Sequence, residues 1–141
     1  MQQDQETYTR NLLVLLKLDS ENLYKSINER FDDYMKIFAL KRTRDHFAVI
    51  FRSRYLNIPL VDLANCSEDV ILALNSFYEK ASELHWYLMS TEDMPAMVED
   101  VVRQHLRGIT PIYETLKLYL TGELSHISPD EDLAHQEINR L

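Results

Sequence analysis

Apolar side chains recur along most of this chain at alternating intervals of three and four, the period of one face of an α-helix. The cleanest run is Val70, Leu74, Phe77, Ala81, Leu84 and Leu88, which reads as the seam of a helical bundle. Ser67 before it, with Glu68 and Asp69 following, supplies an N-cap and acid in the first turn. A second long stripe follows at Val98, Val102, Leu106, Ile109, Ile112, Leu116 and Leu120. Ser90 with Asp93 predicts a capping box for it, Gly108 and Thr110-Pro111 predict a kink or a restart, and Gly122 predicts its C-cap.

Upstream, Tyr8, Leu12, Leu15 and Leu16 predict a short amphipathic helix ending near Leu18. Asp19-Ser20-Glu21-Asn22 has the composition of a break and a new cap, although no glycine or proline forbids a continuous helix. The next stripe is Leu23, Ile27, Phe31, Tyr34 and Phe38. Thr43 predicts a helix through about Leu56, stopped by Asn57-Ile58-Pro59, with a short helical turn at Leu60–Ala64. Ser128-Pro129-Asp130-Glu131-Asp132 carries the signals of a last helix reaching about Arg140. With only two glycines and four prolines, the chain has too few turn residues for a many-stranded fold. The expectation is one all-α domain over residues 1–141. It is an antiparallel bundle of about four main helices, with an N-terminal helix at 1–18, a core at 20–122 and a terminal helix or tail at 128–141.

Charge changes the picture in one place. Between Lys36 and Arg54 lie Lys36, Lys41, Arg42, Arg44, Arg52 and Arg54, opposed only by Asp45, in a chain whose net charge is −8. Arginine grips carboxylate or phosphate through paired N–H donors. Lys41, Arg42, Arg44, Arg52 and Arg54, with Phe51 and Tyr55 for contact area, therefore form the candidate site for an anion or an acidic partner segment. Alternatively, these arginines pair with the chain's own acids, such as Asp32, Asp33 or Asp62.

Other chemistry finds little support. One cysteine, Cys66, allows no internal disulfide and no Cys/His zinc spacing, and it suits a reducing compartment. A helix start beside Cys66 could activate a thiol, but no glycine-rich turn accompanies it, and a buried, inert thiol is expected. The histidines lack the Glu-x-x-His pairs of a di-iron bundle. A hairpin near residue 92 would set His85 beside Glu99 or Asp100, and His105 beside Glu79 or Lys80. His85-Trp86-Tyr87 with Tyr78 and Tyr119 compose either an aromatic patch or a core edge. Leu12-Leu13-Val14-Leu15-Leu16 matches a short helix-docking pattern that core packing also produces, and the acidic Ser128–Leu141 segment is the better docking candidate.

No metal, cofactor or catalytic residue is expected. The N-terminus lacks a basic signal-peptide region, and the longest apolar burst is far below a membrane span, so a cytoplasmic location is expected. The function these features predict is that of a small regulatory or adaptor protein without catalysis. Its partner is another protein, met through an acidic segment or helix, and a homodimer is possible. Nucleic acid and membrane are not expected partners, given the acidic balance. Two alternatives come from other classes. One is a nucleic-acid or nucleotide/phosphate-binding module using residues 36–54, and the other is a bundle enzyme or ligand sensor with an internal cavity.

Overall fold

A computed structural model describes residues 2–127, so the helix expected from Ser128 lies outside the described residues. The described chain is all-α: α1 (Gln2–Glu29), α2 (Phe31–Lys41), a single turn α3 (Phe47–Ile50), a 3₁₀ turn at Tyr55–Asn57, a single turn α4 (Leu60–Leu63), α5 (Glu68–Ser90) and α6 (Pro95–His126). Helices α5 and α6 form the main hairpin, α1 packs along α6, and α2 folds back onto α1 and α6. All share one core, in which Leu13, Leu16, Ile27, Phe77, Leu84, Leu88, Val98, Val102, Leu116 and Leu120 are sealed from water. The seam residues Leu74, Phe77, Leu84 and Val102 are buried on facing helices, and Leu106 is partly buried beside them.

Several boundaries differ from expectation. Helix α1 does not end near Leu18 but runs on to Glu29. Its inward face is Leu12, Leu13 and Leu16, while Tyr8 and Leu15 point to solvent. The break comes at Arg30 instead, where the Tyr34 hydroxyl donates to the Ile27 carbonyl at 2.8 Å and satisfies a group freed by the bend. The helix expected over Thr43–Leu56 shrinks to the one turn of α3 because tertiary contacts pull the chain elsewhere. Phe47 and Ile50 are buried, the His46 ring is 2.9 Å from the Tyr34 carbonyl, and Ser53 is drawn to Asp19.

Helix α5 starts as expected, with the Val70 N–H donating to the Ser67 hydroxyl at 3.3 Å. Ser67 also gives its N–H and its hydroxyl to the Glu123 carboxylate, tying the start of α5 to the end of α6. The capping box at Ser90 and Asp93 does not form. Thr91 caps α5 by donating its hydroxyl to the Tyr87 carbonyl, Asp93 accepts from the Tyr87 hydroxyl, and α6 opens on Pro95. Pro111 neither breaks nor restarts α6, and Gly122 lies inside the helix rather than capping it. Arg107 and Pro111 both sit on the exposed face, where water can take the carbonyl that proline leaves free. Tyr24 stacks on Tyr113 at 4.1 Å, and its hydroxyl is 2.8 Å from that of Thr110, holding the helix to α1 on either side of Pro111. At Gly108 a Cβ would come within 3.3 Å of the Lys80 stem, so this glycine gives the lysine room between α5 and α6.

Candidate functional site

After Arg44 the chain runs antiparallel to α5. The Arg44 guanidinium donates to the Leu88 carbonyl, Phe51 stacks on His85 at 4.6 Å, and Tyr55 stacks on Tyr78 at 4.0 Å. Side chains alternate along this stretch: Phe51, Ser53 and Tyr55 face α5, while Arg52 and Arg54 are exposed between them. The result is a groove of about 730 Å³ between α5 and residues 51–56, with Leu23 and Ala81 at its base. Asn75, Glu79, Glu83 and Trp86 form its α5 wall. Trp86 is 68% exposed and Leu56 is 93% exposed. Both are large apolar groups left at the surface beside a concavity.

One residue fixes this wall. The Asp19 carboxylate accepts from the Ser53 hydroxyl at 2.7 Å, the Tyr78 hydroxyl at 2.6 Å and the Arg54 backbone N–H at 2.9 Å. The Ser53 hydroxyl in turn accepts from the Tyr55 N–H at 3.1 Å. Burial, reinforced by the bond to Asp19, holds the Tyr78 hydroxyl protonated far above its ordinary range. Sequence reasoning missed Asp19 as an anchor. The available signal was its register: it lies three residues after Leu16 and four before Leu23, beside the buried stripe.

The basic candidates separate into two kinds. Arg44 is half-buried and structural: besides capping α5 it lies over the Phe38 ring at 5.0 Å. Lys41, Arg42, Arg52 and Arg54 are exposed. Among the described residues the ion pairs are Lys25–Glu21, Lys80–Glu83 and Arg103–Glu99, so the pairing of the cluster with Asp32, Asp33 or Asp62 does not form. Arg42 has φ 56°, the left-handed position that closes α2, where its N–H donates to the Phe38 carbonyl. A side chain there costs about 1 kcal/mol relative to glycine.

The remaining candidates are quieter. Cys66 is buried, and burial with the nearby Glu123 pushes its thiol up to about 11, the reverse of activation. The described residues hold no group of three or more His, Cys, Asp or Glu side chains placed for a metal ion. No helix among them is long and apolar enough to cross a membrane. Of the aromatic set, Tyr78, His85 and Trp86 meet in the groove, Tyr87 turns to Asp93, and Tyr119 lines a shallow depression between α5 and α6.

His85 packs on Phe51 rather than against Glu99 or Asp100, and burial lowers its pKa. Burial, then Lys80, lowers that of His105, with Glu83 opposing. Each ring therefore takes its proton more readily unfolded than folded. Stability is fully present above the ordinary histidine range of about 6.5 and is lost as pH falls below it toward the lowered folded values. The melting temperature should drop between pH 7.5 and 5.5, and the drop should shrink in His85→Gln/His105→Gln. An undiminished drop in that variant would assign the acid sensitivity to other groups.

Comparison with protein-family models, curated proteins and solved structures finds no match to this chain.

Proposed function

We propose that the protein is a small helical adaptor that acts through protein–protein contact. Arg42, Arg52 and Arg54 grip an acidic segment or helix of its partner. The observation that carries this reading is the state of those arginines. In a chain of net charge −8, rich in carboxylates, they are exposed and form no ion pair among the described residues. An unpaired guanidinium keeps its full set of donors for a partner carboxylate. Two further features agree. Arg42 occupies a backbone position where glycine would cost less, and backbone strain concentrates at functional sites. Leu56, Leu60 and Val61 stand exposed on the same connection as Arg52 and Arg54, giving apolar contact area beside the charges.

The test is the Arg42→Glu/Arg52→Glu variant. Its stability should stay within about 0.5 kcal/mol of the wild type, because both side chains are surface groups. Proteins captured from cell extract by the wild type should be lost by the variant and by raised salt, as charge-steered contacts are. A well-folded variant that keeps every captured protein ends the proposal.

A further inference from the structure

We propose that the groove between α5 and residues 51–56 is a binding site for a small organic cation with an apolar body, such as an amidinium, guanidinium or quaternary ammonium compound. The site is distinct from the outward-facing arginine edge and does not depend on it. The volume of about 730 Å³ is that of a small-molecule pocket. Phe51, Tyr55, Tyr78, His85 and Trp86 line it with aromatic rings, and Trp86 is the most exposed of these side chains. Aromatic faces attract cations, indole most strongly.

The charges in the lining decide the sign of the ligand. They are Glu79 and Glu83, one turn apart on α5, and no lysine or arginine contributes to the lining. Arg52 and Arg54 fall on the alternate, outward positions of the opposite wall. Lys80, the nearest cation on α5, reaches Glu83 only at 3.8 Å while its stem lies against Gly108 on α6. Burial disfavours the protonated form of the His85 ring. A carboxylate or phosphate entering the groove would meet two carboxylates. A cation would meet the Glu79 and Glu83 carboxylates, each with only one weak partner among the described residues, Asn75 at 3.4 Å and Lys80 at 3.8 Å respectively. It would also meet the exposed ring of Trp86, the one groove aromatic not stacked on another among those residues.

The test uses the full chain and three molecules of nearly the same shape: benzamidine, benzamide and benzoate. Binding is followed by two-dimensional NMR through the indole N–H of Trp86, the single tryptophan, and the amides of residues 51–56 and 75–86. Benzamidine should give saturable shifts confined to those residues. Benzamide should bind about tenfold more weakly, and benzoate not measurably. Glu79→Gln/Glu83→Gln, which alters two surface side chains, should weaken benzamidine about tenfold and leave benzamide unchanged. Arg52→Glu/Arg54→Glu should not weaken benzamidine, which separates this site from the arginine surface. Benzoate or benzamide binding as well as benzamidine would overturn the proposal. So would shifts mapping elsewhere, or the absence of any saturable shift up to about 10 mM benzamidine.

Discussion

Replacing Leu84 with alanine is expected to destabilise the protein by about 2–5 kcal/mol, the range for a fully buried leucine whose neighbours collapse only in part. Leu84 has no exposed surface and sits in the C-terminal part of the α5 seam, where α5 packs against α6. For a chain of this length the melting temperature should fall by roughly 6–20 °C. Leu72→Ala on the same helix removes the same methyl groups from an exposed position and should change stability by no more than about 0.5 kcal/mol. Equal melting of the Leu84 variant and the wild type would sink the seam assignment and, with it, the geometry of the groove.

The second large effect belongs to Asp19. Asp19→Ala removes the acceptor of three hydrogen bonds, one of them from the buried Tyr78 hydroxyl. Hydrogen bonds to a charged group contribute about 1.5–3 kcal/mol each, and a buried hydroxyl left unpaired costs about 1–3 kcal/mol more. Asp19 keeps some solvent access and its bonds share one network, so a total near 3 kcal/mol is expected rather than the sum. The loss should be local as well as global. Amide signals of residues 53–57 should broaden or shift, since Ser53 and Arg54 lose their only anchor on α1 among the described residues. Tyr78→Phe removes one of the three donors and should cost about 1 kcal/mol while leaving the Ser53 and Arg54 anchors in place. If Asp19→Ala melts like the wild type and residues 53–57 keep their amide shifts, Asp19 does not hold the groove wall. The proposed cation site in the groove would then lose its structural footing.

Much of the architecture was legible because it follows from local periodicity. The four-three spacing from Val70 to Leu88 marks a helix and also its buried face, since residues three and four apart share one side. Ser67 was legible as a cap, because hydroxyl capping acts within a few residues.

Two of the misplaced boundaries, the cap expected at Asp19-Ser20 and the box expected at Ser90 and Asp93, share one cause. Asp19 and Ser20 have the composition of a cap, but the Asp19 carboxylate is taken by groups from residues 53, 54 and 78, and the Ser20 hydroxyl donates to the Lys17 carbonyl within α1. Asp93 likewise accepts from Tyr87 instead of completing a capping box. A short polar side chain looks the same in sequence whether its partner is a nearby backbone group or a residue of another helix.

The candidate site divides along the same line. The charge cluster at residues 36–54 is a property of composition, visible without coordinates. Which of its members are free was not visible. Arg44 is used up by the end of α5 and the ring of Phe38, whereas Arg42, Arg52 and Arg54 stay exposed. Residues 51–56 leave the helix expected for them because Phe51, Ser53 and Tyr55 find His85, Asp19 and Tyr78. The groove is therefore built from pairs some 20 to 35 positions apart in sequence. By itself the sequence determined an all-α bundle, the core face of α5 and the location of surplus positive charge, because helix period, capping and net charge are local or additive quantities. Only the tertiary structure decided where α1 ends, which arginines remain unpaired, and that an aromatic groove walled by Glu79 and Glu83 lies beside them. Each of those depends on which distant side chains compete for the same hydrogen bonds and ring faces.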